Sequence, residues 1–439
     1  MPQWYTDAKI GIFNHWGVYS VPSWGPPSGG ASGEWFWWMW KGAKNPAYAE
    51  FVDQTEAPSW TYADYASGFT AHLFNATYWD EVLAASGARY YVPTSKHHEG
   101  FCNWATNTSF NWNSVDVGPN QDLLRTLYSA LRGPNSAFAK AGGKAGLYFS
   151  LFEWFNPLYL EDKASGFDSQ LYVDQVEQPQ LWELINDYGP EMIWADGDWE
   201  ANSTYWKSAD FLAKVFNSAT NKDTIVVNSR WGSDCSCTPG AGKHLCGSVQ
   251  SCTDRYLPSQ APAFAFENAL TLDKYSWGLR RNMKSTDVLT ASELISTVIQ
   301  TIALGGNALV NFGPSHDGTI PPIFEERLRQ MGAWLSVVGE PAVYASKPWR
   351  VHNETQGMGV WYTSKAGDVF AHLTMWPGQN ITLSAPKTNP NTTVSMLGDA
   401  SPHPLKFTPL GTQGLTIQMP PQNTIATEFA WALQLKNVE

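Results

Sequence analysis

Across the first three quarters of the 439-residue chain, short apolar runs alternate with segments of helical periodicity. Lys9–Trp16, Arg89–Ser95, Gly146–Phe152, Glu191–Ala195, Thr224–Ser229 and Asn307–Phe312 are brief and rich in aliphatic or aromatic residues, which predicts buried strands. The clearest helix is predicted over Ala291–Leu304. There Leu294, Ile295, Val298, Ile299 and Ile302 fall on one face. Thr290 and Glu293 form a capping box, and Gly305-Gly306 ends the segment. Strands and helices in alternation predict a parallel sheet, either closed as a barrel or open and doubly wound.

The polar punctuation favours the barrel. His15-Trp16-Gly17, Lys96-His97-His98-Glu99, Asp196-Gly197-Asp198 and Arg230-Trp231 each lie at or just after the end of a predicted strand, where barrel enzymes carry their chemistry. No Gly-x-Gly-x-x-Gly run supports a dinucleotide fold. Beyond about Ala345 the helical period fades. Met358–Tyr362, Val369–Thr374 and Leu415–Met419 alternate at period two between Pro, Gly and Asn, which predicts a small β-sandwich.

Composition narrows the function. The net charge of −12, from 28 Lys+Arg against 40 Asp+Glu, contains no basic run and argues against nucleic acid. No stretch of about 18 apolar residues predicts a membrane span. The folded-looking pattern starts almost at Met1, which suggests that a leader has been trimmed. Six Asn-x-Ser/Thr sequons, at Asn75, Asn107, Asn202, Asn353, Asn380 and Asn391, point toward the secretory pathway. Cys102 stands alone, whereas Cys235, Cys237, Cys246 and Cys252 crowd one loop. The cluster reads as two disulfides of open connectivity, with a four-thiolate zinc site as the rival; the Cys-x-Cys start favours disulfides.

Several runs offer chemistry. Trp194-Ala195-Asp196-Gly197-Asp198-Trp199-Glu200 delivers three carboxylates beside two indoles at a strand end, as glycoside hydrolysis requires; a plain Asp-Gly turn is the alternative. His97 and His98 would bind a metal or sugar hydroxyls, but adjacent strand residues face opposite ways unless the strand end is bent. No further ligands at clear spacing support a metal. Glu34-Trp35 opens a Trp-rich run that is either a core wedge or a pocket wall. Arg230 and Trp277 admit both pocket and structural roles. The 23 Trp, 18 Tyr and 21 Phe suit the C–H faces of sugars, yet most of them are expected to fill the core.

Together these runs resemble glycoside hydrolase family 29, the α-L-fucosidases, and most closely the animal tissue type. The resemblance begins at Trp4–Lys9 and Gly11–Pro22 and continues through Glu34–Trp38, Lys96–Phe101 and Ile193–Gly197. It also takes in Asn311–Pro314, Tyr344–Trp349 and Phe429-Ala430-Trp431. It implies a (β/α)8-like barrel over 1–343, a C-terminal β-sandwich over 344–439, and cofactor-free, metal-free hydrolysis with retention. The nucleophile falls on Asp196. Fucose-binding positions fall on His15, Glu34, Trp35, His97, His98, Trp194, Arg230 and Trp277. The acid/base falls on Asp254 or Glu267, with Asp254 favoured and Glu153 a third candidate. The implied partner is a fucosylated oligosaccharide or glycoconjugate, the implied setting extracellular or lysosomal/vacuolar, and homo-oligomers occur in the family. Asn14, Ser229 and Leu279 depart from the family pattern, Leu279 with an expected effect on the pocket rim.

Overall fold

The computed structural model describes residues 1–26, 32–238, 243–354, 359–400 and 403–439. Its first sheet is built from β1 (Ile10–Asn14), β2 (Tyr90–Lys96), the short β3 (Lys144–Ala145), β4 (Leu147–Ser150), β5 (Met192–Asp196), β6 (Val226–Val227), β7 (Glu267–Thr271) and β8 (Asn307–Phe312). All pairings are parallel, in the order β6-β5-β4-β2-β1-β8-β7, with β3 beside β2. Every predicted strand in this region is present, with ends moved by at most two residues.

The gap between β6 and β7 is closed by a segment the hydrophobic pattern did not announce. The amides of Ser248 and Val249 donate to the Val227 carbonyl, and Gln250 forms a parallel bridge with Phe266. This short stave completes the ring. It lies between Cys246 and Cys252, within the cysteine-rich segment whose sulfurs form the pairs Cys235–Cys246 and Cys237–Cys252. The sulfurs that a zinc site would need are therefore bonded to each other.

Alternation along the strands separates two apolar layers. Phe13, Tyr90, Val92, Tyr148, Met192, Trp194, Val226, Val249, Ala269 and Leu309 pack inside the barrel. Ile10, Ile12, Tyr91, Leu147, Phe149, Ile193, Val227 and Val310 face the surrounding helices. The helix Ala291–Ala303 forms as expected. Thr290 and Glu293 cap it reciprocally, its five aliphatic residues are fully buried, and Gly305 leaves it at φ +92°.

β7 escaped sequence reading because Glu267, Asn268 and Thr271 make Glu267–Thr271 look half polar, yet every one of its residues is buried. Glu267, the Asn268 Nδ2 and the Thr271 hydroxyl have buried partners, which offsets much of the cost of enclosing them, while Asn268 Oδ1 is left without one.

Among the described residues, eight further strands follow the barrel helix Pro322–Val338: β9 (Lys347–Asn353), β10 (Val360–Lys365), β11 (Asp368–Leu373), β12 (Asn380–Leu383), β13 (Thr393–Met396), β14 (Phe407–Pro409), β15 (Leu415–Gln418) and β16 (Trp431–Lys436). They form antiparallel sheets ordered β13-β16-β11-β10-β9 and β12-β15-β14. Val360, Tyr362 and Leu373 of one sheet share a core with Ile381, Leu383, Leu415 and Ile417 of the other, as a sandwich requires. Met358, the start of one predicted run, lies outside the described residues.

Candidate active site

A cavity of about 540 Å³ opens at the C-terminal ends of the barrel strands. Its lining includes His15, Glu34, Trp35, His97, His98, Trp194, Asp196, Arg230, Asp254 and Trp277, so ten of the twelve candidate site residues converge although the sequence scatters them. Glu267 does not line it.

Asp196 is the last residue of β5 and is 8% exposed. Its Oδ1 accepts from Arg230 Nη1 at 2.8 Å, and its Oδ2 accepts from the Tyr148 hydroxyl at 2.8 Å. His98 Nε2 stands 3.6 Å from Oδ2. The carboxylate is thus aimed from a rigid strand and held on both oxygens. Arg230 spans two acids, since its Nη2 donates to Asp254 Oδ1 at 2.6 Å. The guanidinium also lies over the Trp194 ring, 4.6 Å from its centroid. Burial opposes the charge of Arg230, but Asp254, Asp196 and Asp198 outweigh it and raise the arginine pKa.

The histidines are neutral hydrogen-bonding groups. Burial, with His97 adding to it, lowers the His15 pKa to about 3. Burial lowers His97 to about 4, and burial with the neighbouring His97 holds His98 well below the ordinary range. Their hydrogen bonds assign two tautomers. Asn311 donates through Nδ2 to the Trp277 carbonyl, so its Oδ1 accepts from His15 Nδ1 at 2.8 Å. The Ser150 hydroxyl donates to the Phe152 carbonyl, so it accepts from His98 Nδ1 at 2.7 Å. In each ring Nε2 is left as an acceptor, suited to a sugar hydroxyl.

The bend that the adjacent histidines required is present. The β2–β4 register shifts between Thr94 and Lys96, and the chain turns through Gly100 at φ +81°. Both rings consequently face one cavity, with centroids 4.1 Å apart. Beneath them Lys96 is fully buried and donates to Glu153 Oε1 at 2.9 Å and Gln180 Oε1 at 2.8 Å. Glu153, the third acid/base candidate, is spent in that ion pair and does not line the cavity.

Glu34 and Trp35 are wall residues, while Phe36 and Trp40 of the same run enter the core, so each reading of that run holds for part of it. Glu34 Oε2 accepts from the amides of Trp277 (3.1 Å) and Gly278 (2.8 Å), fixing the Trp277 turn. Asn14 accepts from Tyr91 at 2.8 Å, and Ser229 accepts from the Ser251 amide at 3.1 Å. These two departures from the family pattern are therefore accommodated beneath the site. Leu279 does not line the cavity.

Sequence reasoning assigned no role to Tyr148, Asn311, Asp198 or Trp199. Tyr148 and Asn311 lie inside strands, with no local signal to mark them. Asp198 and Trp199 stand in the Trp194–Glu200 run and line the cavity. Burial, and then the charge of Asp196, push the Asp198 carboxyl up to about 7 against the pull of Arg230.

Paired carboxylates among neutral imidazoles and indoles, at the C-terminal mouth of a parallel barrel, make the kind of site at which glycosidic bonds are hydrolysed. The family profile "Alpha-L-fucosidase" matches residues 1–340, and "Alpha-L-fucosidase C-terminal domain" matches residues 352–436. The chain is 47% identical over 442 residues to an alpha-L-fucosidase of Branchiostoma floridae, covering 100% of this chain and 93% of the relative. It is 45% identical to the tissue alpha-L-fucosidase of Homo sapiens, covering 100% and 90%. The crystal structure of Thermotoga maritima alpha-fucosidase in complex with a mechanism-based inhibitor superposes with a TM-score of 0.80 at 27% identity, covering 99% of this chain and 96% of that one. The chain belongs to glycoside hydrolase family 29, the α-L-fucosidases, and is similar to animal-type members of it.

Proposed function

We propose that the protein is a retaining exo-α-L-fucosidase that removes terminal fucose from oligosaccharides or glycoconjugates. Asp196 is the nucleophile and Asp254 the acid/base. The observation that carries this reading is the single guanidinium of Arg230 held between Asp196 and Asp254 at 2.8 and 2.6 Å. One such group keeps two carboxyls a few ångströms apart, in keeping with the about 5–5.5 Å of retaining enzymes.

In the first step Asp196 attacks the anomeric carbon, and the C–O bond to the leaving group breaks as Asp254 donates a proton to the departing oxygen. In the second step Asp254 takes a proton from water, the water oxygen bonds the anomeric carbon, and the bond to Asp196 breaks. For this Asp254 must release Arg230 and turn to the glycosidic oxygen. Its position on a loop, with a side chain 45% exposed, leaves room for that turn. Tyr148 and Arg230 hold the oxygens of Asp196 in line. His15 and His98 offer Nε2 to fucose hydroxyls, and Trp35, Trp194 and Trp277 enclose the ring and its methyl. A secretory-pathway setting, lysosomal or extracellular, is supported by the two disulfides.

A second reading gives the proton to Asp198, because its carboxyl faces the same cavity and holds its proton up to about 7. Azide separates the assignments. Asp196→Gly should lower kcat on an aryl α-L-fucoside by about 10⁴-fold and recover partly with azide to give the inverted fucosyl azide. The acid/base variant should give the retained azide. A retained azide from Asp198→Ala, with none from Asp254→Ala, would transfer the role to Asp198. Full turnover by Asp196→Gly would overturn the mechanism.

A further inference from the structure

Trp199 stands apart from the other tryptophans of the site. Trp194 is 2% and Trp277 is 8% exposed, whereas Trp199 lines the same cavity and is 44% exposed. Its ring lies parallel to Trp35, at 6.1 Å between centroids and 17° between planes. Its edge contacts are with His98 at 5.4 Å and Phe152 at 5.3 Å. An indole left this open in a protein that buries most of its aromatic surface would gain from a partner on its free face.

The segment carrying Trp199 is braced. The next residue, Glu200, accepts from the Tyr159 hydroxyl at 2.5 Å and from Lys163 at 2.6 Å. Ser203 donates to Asp234 through both its amide and its hydroxyl, each at 2.7 Å, and the Ser233 amide donates to the Ala201 carbonyl at 2.9 Å. These bonds tie the Trp199 turn to the disulfide-stapled loop that carries Thr253 and Asp254 on the same cavity. The two sides of the mouth form one connected rim, and the indole is preorganised rather than swinging free.

The occupant follows from the direction of the cavity. His15, His97 and Trp194 form a buried floor, while Asp254 and Trp199 stand at the exposed end. A terminal fucose held on the floor directs its glycosidic bond at Asp254. The sugar on the other side of that bond must then leave through the rim past Trp199. A pyranose ring offers a face of C–H groups that matches an indole in shape and polarity. We propose that Trp199 is the stacking platform for the sugar to which the fucose is attached, and so determines which glycans are cleaved. The proposal rests on the fucosidase reading of the cavity.

The test compares α-L-fucosyl fluoride, whose leaving group has no ring, with a fucosyl-(1→2)-galactose substrate. kcat/KM is the right parameter because it covers steps up to the first irreversible one. For Trp199→Ala the ratio of kcat/KM on the disaccharide to that on the fluoride should fall about tenfold. Trp199→Phe, which keeps a ring, should restore most of the ratio. An equal fall on both substrates would overturn the proposal and leave Trp199 as a buttress of Trp35 and His98. An unchanged ratio with normal rates would overturn it too. If the unaltered protein fails to hydrolyse the fluoride, the fucosidase reading itself falls.

Discussion

Two carboxyls at opposite ends of one barrel show how the same residue class is put to different use. Glu267 opens β7 at the N-terminal end of the sheet. It is fully buried and accepts from Tyr5 (2.7 Å), Tyr90 (2.6 Å) and Trp194 Nε1 (2.8 Å). Asp254 stands at the C-terminal mouth on a loop, bonded to Arg230 at 2.6 Å and open to the cavity. Both were acid/base candidates from sequence. Three buried donors occupy the oxygens of Glu267, and it does not line the cavity. Asp254 has a single charged partner, a side chain 45% exposed, and the cavity in front of it. On the proposed mechanism, the end of the barrel a carboxyl occupies and whether its donors are exchangeable would separate a structural acid from a chemical one. Trp194 joins the two regions, since its N–H anchors to Glu267 while its ring lies under Arg230.

The contrast is broken most directly by removing each acid in turn. Asp254→Ala should lower kcat/KM on a fucosyl disaccharide by roughly 10²–10⁴-fold. Its unfolding free energy should stay within about 1 kcal/mol, because the Asp254 side of the lost ion pair is solvent-exposed and Arg230 keeps Asp196. Glu267→Ala should reverse this pattern. It leaves three buried donors without an acceptor, at about 1–3 kcal/mol each, so urea unfolding should show a loss of at least ~3 kcal/mol. Glu267→Gln, with one acceptor oxygen kept, should fold and turn over. A well-folded Glu267→Gln with no turnover would exchange the two roles.

A smaller effect sharpens the comparison. Glu99 follows the C-terminal end of β2, on the same side of the barrel as Asp254, but is 1% exposed like Glu267, and burial pushes its carboxyl from 4.5 up to about 8. The folded state then holds a proton that the unfolded chain has released. The resulting stabilisation is full below pH 4.5 and is lost as pH rises through about 8. Glu99→Gln imitates the protonated form, so it should remove a decline of roughly 1 kcal/mol per pH unit in this window, read as unfolding midpoint against pH. An unaltered slope would mean that the Glu99 proton does not distinguish the folded from the unfolded state.

Much of this protein was determined by the sequence alone. Apolar runs too short for helices made the barrel strands, the Thr290–Glu293 box and Gly305 bounded their helix, and alternation after Ala345 made the sandwich, because backbone periodicity and capping are local properties. The polar runs at strand ends located the mouth for the same reason. The tertiary structure decided what depends on distance between remote segments. It added the stave at Ser248–Gln250, hid β7 behind buried polar partners, and paired the four loop cysteines. It bent β2 so that His97 and His98 share a cavity, and it recruited Tyr148 and Asn311 from strand interiors. It also put Glu267 and Asp254 at opposite ends of the barrel. That separation is fixed by where β7 begins and where the stapled loop returns, and spacing along the chain carries no record of either.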